Sequence, residues 1–212
     1  MKEAQPKMSM HNRNPLPELP CVILAGGQSR RFGSNKAFAT LRGTRLIDHL
    51  RARIKHQSAG PIAINAPTGA GFDDVSEPLI IDRLTGNLGP LAGLHAAMSW
   101  AKDAGYSAVI TTPVDTPVLP NDFVERLVAT GAPAIVNYKD RGHYLHGLWR
   151  TSLTDQLESA IERGMRSARD WAAECNAATC EFHEQAGLDP FFNVNTPDDL
   201  LTLENAQPDS PR

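Results

Sequence analysis

Cys21-Val22-Ile23-Leu24-Ala25-Gly26-Gly27-Gln28-Ser29-Arg30-Arg31-Phe32-Gly33-Ser34-Asn35-Lys36 runs from four apolar residues straight into a loop that places three glycines, two arginines and a lysine within positions 26 to 36. An anion with several oxygens is bound by backbone N–H groups that approach closely, which glycine permits because it lacks a Cβ, and by cationic side chains that neutralise it. A strand ending in such a loop presents both together, so a phosphate cradle is expected here, with Arg31 and Lys36 as the cationic ligands. The plainer reading is that Gly26 and Gly27 only make a tight strand-to-helix turn and that Arg30 is a solvated charge.

Downstream, the pattern of an apolar run ending in a polar residue recurs. Leu46, Ile47, Leu50 and Ile54 fall at helical spacing, and the strand Pro61 to Asn65 follows. Residues 67 to 77 read as a loop or a weak helix, and Pro78 to Asp82 as another strand. Gly89-Pro90-Leu91-Ala92-Gly93 leads into a helix with Leu91, Leu94, Met98 and Ala101 on one face. Tyr106 to Thr111 is the clearest strand and stops at Thr112-Pro113-Val114-Asp115-Thr116-Pro117. A helix from about Pro120 to Ala129, strands at Pro133 to Tyr138 and Tyr144 to Trp149, and helices around Leu153 to Ile161 and Ala168 to Cys175 come next. A strand at Ala178 to Phe182, the apolar Phe191-Phe192-Asn193-Val194 and a helix capped by Thr196-Pro197-Asp198-Asp199 close the pattern. Asn193 and Asn195, two apart on a strand, are expected to point the same way.

This alternation predicts an α/β three-layer sandwich with a mostly parallel, Rossmann-like sheet. Its ligand belongs beyond the carboxyl ends of the strands. There the glycine loop, Asn65, Asp82, the Gly89 to Gly93 segment and Asp115 would gather.

With 212 residues, one domain is expected over 20–206, with tails at 1–19 and 207–212. Lys and Arg number 21 against 24 Asp and Glu, a net charge of −3, so no overall positive field points to nucleic acid or an anionic membrane. Neither a secretory apolar core nor a run long enough to span a membrane occurs, and three cysteines suit a reducing compartment, so a cytoplasmic protein is expected.

Strict phosphate and hydrolase motifs fail on spacing. No glycine precedes a lysine, which excludes a P-loop; Ser29 stands where the dinucleotide fingerprint has its second glycine; Arg31 replaces the last glycine of a hydrolase elbow. What remains, L-A-G-G-x-S-x-R-x-G-x-x-K, resembles the signature loop of the nucleotidyltransferase superfamily, and within it the molybdenum cofactor guanylyltransferase family. I-N-A-P at 64 to 67, I-D at 81 to 82, G-P-L-A-G at 89 to 93, T-P-V-D-T-P at 112 to 117 and F-F-N-V-N-T-P-D-D-L at 191 to 200 match that family's blocks in order.

The resemblance implies a nucleotidyltransferase fold and an enzyme that moves GMP from GTP to the terminal phosphate of molybdopterin. By it, Leu24, Ala25, Gly26, Gly27, Asn65, Asp82, Gly89, Leu91 and Gly93 belong to the nucleotide site, Lys36 binds phosphates and Asp115 holds Mg2+, with Asp82 as the reserve carboxylate. Asn193 and Asn195 fall on the acceptor side, with Arg166 a further candidate there. Such chemistry needs no protein nucleophile, because the acceptor phosphate already carries a negative oxygen. Protein partners that deliver the cofactor are implied as well, and a monomer or weak oligomer is expected.

His143 and His146, at i, i+3 on a strand, should face opposite sides, one packed and one solvated, which suits a zinc pair poorly. His95 is expected at a helix surface, and Trp149 and Trp171 in packing. Asn35 stands where the family usually has Asp, which makes the loop more positive. Three alternatives remain: a cytidylyltransferase acting on molybdopterin, whose loop usually reads L-A-A-G; a non-catalytic GTP-binding partner; and a nucleotide-sugar pyrophosphorylase, which would need a longer sugar-binding region.

Overall fold

Alternation along the first strand sets the layers. In the computed structural model, which describes residues 15–26, 35–86, 88–183 and 189–206, Cys21 and Ile23 enter one apolar core while Val22 and Leu24 enter a second. A strand buried on both faces is a continuous apolar run, as this one is. The chain order is β1 (Cys21–Leu24), β2 (Thr40–Leu41), β3 (Thr44–Arg45), α1 (Leu46–Lys55), β4 (Ile62–Asn65), β5 (Leu79–Ile80), α2 (Pro90–Asp103), β6 (Ala108–Pro113), α3 (Phe123–Thr130), β7 (Ala134–Tyr138), β8 (Arg141–Arg150), α4 (Thr154–Glu162), α5 (Ala168–Glu174), β9 (Ala178–Phe182) and α6 (Pro197–Asn205).

Seven strands form one sheet in the order β5-β4-β1-β6-β8-β7-β9, and β2 pairs with β3 in a small second sheet. β1 lies parallel to both β4 and β6. Only β8 runs against its neighbours in the large sheet, pairing antiparallel to β6 and β7. Helices α1 and α3 pack on one face through Ile47, Leu50, Ile54, Phe123 and Leu127. Helices α2, α4 and α5 cover the other through Leu91, Met98, Leu157, Ile161 and Trp171. The result is the expected three-layer α/β sandwich with a mostly parallel sheet.

Several boundaries move. Only Leu79–Ile80 of the 78 to 82 segment pairs, residues 67 to 77 form turns rather than a weak helix, and β6 extends through Pro113. Residues 191 to 195 are not a strand; Val194 N–H donates to the Asp115 carbonyl at 2.7 Å and ties the segment to the end of β6. The α6 start is as expected: Thr196 accepts from Asp199 N–H, Asp199 caps back, and Pro197 takes the first turn. The carbonyls of Pro17 and Leu19 accept from the turn at Ser58 and Ala59, fastening the chain just ahead of β1. Residues 1–14 and 207–212, the greater part of the expected tails, lie outside the described residues. No helix among the described residues is long and apolar enough to cross a membrane.

Candidate active site

Past the carboxyl end of β1 the chain must leave the sheet, and the strands on either side supply what it meets. Val114 N–H donates to Leu24 O at 3.0 Å, which locks the start of the turn after β6 against the end of β1. That turn presents Asp115. The Lys36 ammonium lies 3.2 Å from Asp115 Oδ2 and also donates to Asn195 Oδ1 at 3.2 Å. Three residues separated by 79 and 159 positions thus meet at one point; from sequence Lys36 and Asp115 were expected on the nucleotide and metal side and Asn195 on the acceptor side. Asp115 Oδ1 is buried and has no hydrogen-bond partner among the described residues.

Lys36 opens a short 3-10 turn, Lys36–Phe38, whose geometry is set by Asn35. The Asn35 side chain accepts from Ala37 N–H at 3.1 Å and donates to Ala70 O at 2.9 Å. One partner is a donor and the other a carbonyl, so the orientation of the amide is fixed. An aspartate can make the first bond but not the second. The amide therefore has a structural task beyond removing a counter-charge.

On the opposite flank of β1, Asn65 ends β4 and is almost wholly buried. Its Nδ2 donates to Ile80 O at 3.2 Å and to Asp82 Oδ1 at 2.9 Å. A Cβ on Gly93 would fall 2.5 Å from Asn65 Oδ1, and one on Gly26 would fall 3.5 Å from it. The G-P-L-A-G glycine at 93 is thus required by the Asn65 amide, and Asn65 acts as a bracket joining β1, Asp82 and the start of α2. Asp82 follows β5, three strand spacings from β6, or roughly 14 Å at the level of the sheet. It is held by Asn65 and stands apart from the Lys36 and Asp115 pair, so the structure does not bring the reserve carboxylate to the same point.

The side chains of Leu24 and Leu91 are in the core, so either residue meets a ligand only through its backbone. Ala25 is buried too, its N–H on Asn65 O at 2.8 Å, whereas Gly26 is exposed. Gly89 caps α2 with φ of 65°, and a Cβ there would approach Arg166 O at 3.4 Å. Gly27 and Arg31 lie outside the described residues.

Beside Asp115 opens a cavity of about 390 Å³, lined among others by Asn193, Arg141, His143, Tyr144 and Arg169. It exists because β8 is antiparallel: Thr111 pairs with Gly147, so the first half of β8 projects past the end of β6 onto the ligand edge. Arg141, Tyr144 and Arg169 were not singled out from sequence. Reading β8 as beginning at Tyr144 hid the first of them. Arg166, the expected acceptor-side residue, is exposed, but its guanidinium is bonded to the carbonyls of Ile161 in α4 and of Met165 just beyond it. Trp149 and Trp171 are fully buried.

The histidine expectations need correction. His143 and His146 are both buried, their ring centroids 5.6 Å apart and each packed on Phe191. The cause is a bulge: Ile135 pairs with Gly147 and Val136 with His143, leaving three β8 residues unopposed and breaking the two-residue alternation. Burial, reinforced by Arg141, pushes His143 below its ordinary value; burial and the neighbouring His143 push His146 far lower. His95, expected at a surface, is buried in α2 with Glu158 Oε2 3.5 Å from its Nε2. Burial lowers it more than Glu158 raises it.

Mg2+ takes hard oxygen ligands, and a buried carboxylate oxygen without a donor among the described residues is a fitting one. Among the described residues no three His, Cys, Asp or Glu cluster into a self-sufficient metal cage. A single carboxylate completed by phosphate and water oxygens is how this ion is commonly held.

Residues 21–179 match the family model of the MobA-like NTP transferase domain. The chain is 40% identical over 197 residues to a molybdenum cofactor guanylyltransferase from Rhizobium leguminosarum bv. trifolii, covering 88% of this chain and 92% of that protein. It is 36% identical over 185 residues to one from Rhodobacter capsulatus, covering 87% and 94%. Among solved structures it is similar to molybdopterin-guanine dinucleotide biosynthesis protein A from Archaeoglobus fulgidus, with a TM-score of 0.66 and 24% identity over 88% of this chain and 97% of that one. A nucleotidyl transferase from Methanothermobacter gives a TM-score of 0.65 at 13% identity over 89% and 96%. At these identities the structures speak for the fold.

Proposed function

Since the chain belongs to the MobA-like NTP transferase family and is a nucleotidyltransferase, we propose that it transfers GMP from GTP to the terminal phosphate of molybdopterin, releasing pyrophosphate, with Mg2+ at Asp115. The observation that carries this reading is the meeting of Lys36, Asp115 and Asn195 beside a cavity lined by Asn193. Close relatives named for guanylyl transfer support the choice of base and acceptor.

In this reading the nucleotide lies along the end of β1, against the exposed backbone of Gly26 and the Asn65, Asp82 and Gly93 bracket. The acceptor enters the cavity, where Asn193 and the guanidinium groups of Arg141 and Arg169 suit an anionic, ring-bearing molecule and Tyr144 offers a flat apolar face. An acceptor phosphate oxygen attacks the α-phosphorus, the bond from that phosphorus to the bridging oxygen breaks, and the electron pair leaves with pyrophosphate. Lys36 neutralises the charge that builds on the leaving group, with Arg31 and Gly27 as further contacts of the loop. Asn195, bonded to Lys36, orients the ammonium. A bound Mg2+ supplies Lewis acidity at the phosphate oxygens. Proton transfer by a side chain is unnecessary, in keeping with histidines held neutral by burial.

The test is pyrophosphate release from GTP, CTP or ATP with molybdopterin, with and without Mg2+. GTP with Mg2+ is expected to dominate. A preference for CTP would move the protein to the cytidylyl reading, and GTP binding without turnover would leave a non-catalytic partner. Asp115→Ala is expected to abolish Mg2+-dependent turnover and leave the fold intact. Lys36→Ala should weaken GTP binding tenfold or more, about the contribution of a charge-assisted hydrogen bond.

A further inference from the structure

We propose that His146 is a positioning residue for the metal-binding turn, acting through the Thr116 hydroxyl on the backbone that presents Asp115. The inference rests on Asp115 as the Mg2+ ligand and concerns how that carboxylate is aimed.

Thr116 Oγ1 lies 2.6 Å from His146 Nε2 and 3.0 Å from the carbonyl of Pro113, and both side chains are almost wholly buried. A hydroxyl has one proton. The carbonyl of Pro113 can only accept, so the Thr116 proton points there and the hydroxyl must accept from His146. That assigns the Nε2–H tautomer to His146. The chain of donors then runs from His146 through Thr116 to Pro113 O. The same carbonyl receives Thr116 N–H at 3.4 Å, which closes a turn around Val114 and Asp115.

From outside the turn, its backbone is also held by β1, through Val114 N–H to Leu24 O, and by Val194 N–H to Asp115 O. His146 adds a restraint from the antiparallel strand on the far side of β6. The imidazole has no access to water and sits among Phe123, Phe191 and His143. A buried polar ring among aromatics that makes its bond to the turn beside the metal carboxylate is thus explained by aiming that carboxylate, as partners outside the ligand set commonly do at metal sites.

The test compares GTP dissociation constants by calorimetry in EDTA and in Mn2+, without acceptor, for the full chain. The ratio of the two is the metal-dependent gain. Asp115→Asn is expected to remove the gain; a gain that survives this change overturns the Asp115 reading and this inference with it. With the gain lost in Asp115→Asn, His146→Phe should cut it about tenfold while the constant in EDTA stays unchanged. His146→Gln, which keeps a donor at the end of the side chain, should restore it to within threefold. Thr116→Val and Thr116→Ser repeat the contrast without touching the ring, and they decide the matter if His146→Phe does not fold. A gain within threefold of the parent in His146→Phe or, failing that, in Thr116→Val, or a His146→Gln protein as impaired as His146→Phe, overturns the inference while leaving Asp115 as the metal ligand.

Discussion

Gly93→Ala sets two known effects against each other. Alanine favours a helix over glycine by about 1 kcal/mol, and Gly93 is inside α2 with no positive φ to excuse it. Yet the new methyl would sit 2.5 Å from Asn65 Oδ1, about 0.9 Å inside the 3.4 Å where ordinary contact begins. Asn65 cannot swing aside without giving up its bonds to Ile80 O and Asp82 Oδ1. Those two bonds contribute roughly 1 kcal/mol and 1.5 to 3 kcal/mol, the second being charge-assisted, while moving the helix instead costs about 1 to 3 kcal/mol of overpacking. The lesser of these losses exceeds or matches the helix gain, so the variant is expected to lose about 0 to 2 kcal/mol net. Urea unfolding at constant slope measures it. A double-mutant cycle with Asn65→Ala should recover most of the loss, giving a coupling energy of about 1 kcal/mol or more. A Gly93→Ala protein more stable than its parent, or no coupling to Asn65, refutes the close-approach argument.

Asn35→Asp should destabilise the protein by about 1 to 3 kcal/mol at neutral pH, because a carboxylate oxygen then faces the Ala70 carbonyl. The introduced acid would titrate higher when folded than unfolded, so the deficit should be full above the raised folded value, shrink as pH falls through it and vanish by about pH 4, the unfolded value; a deficit independent of pH contradicts the assigned bond. Glu77 is an acid-lability site: its burial acts to raise the carboxyl, but hydrogen bonds from Arg51 and Lys55 outweigh this and hold it at about 2 instead of 4.5. A depressed folded value stabilises above pH 4.5 and is lost between about pH 5 and 2, at most about 3 kcal/mol. The stability gap between the parent and Glu77→Gln should therefore close across that window, and a constant gap would show that the ion pairs do not stabilise the fold.

Burial patterns made the strands and helices legible, because apolar periodicity reports which faces are covered. They also pointed to the carboxyl ends of the strands for Asp115 and for the glycine loop that leads to Lys36, whereas Asn195 was assigned to the acceptor side through the family block alone. What periodicity does not carry is which strand lies beside which. The reversal of β8, which brings Arg141 and Tyr144 to the cavity, is a property of pairing and was invisible. Alternation likewise misjudged His143 and His146, because a bulge adds residues on one strand that its partner does not match. Leu91 shows two signals in conflict: the family block marked it as part of the nucleotide site, the helical stripe marked it as core, and packing decided its side chain. The role of Asn35 depends on Ala70, 35 residues away, and no local pattern announces it.

The Lys36 contacts also bear on the order in which the site comes into being during synthesis. A chain leaving the ribosome has its cationic loop long before Asp115 emerges, and Asn195 arrives 159 residues after Lys36. The large sheet grows the same way: β1 gains β4 early but must wait for β6 to be enclosed on its second edge. Domains generally fold as units, with earlier segments waiting on later ones. A nascent chain halted before residue 193 would thus carry Lys36 and Asp115 but neither Asn193 at the cavity nor Asn195 on the ammonium, so this three-residue meeting point is complete only once that segment has emerged.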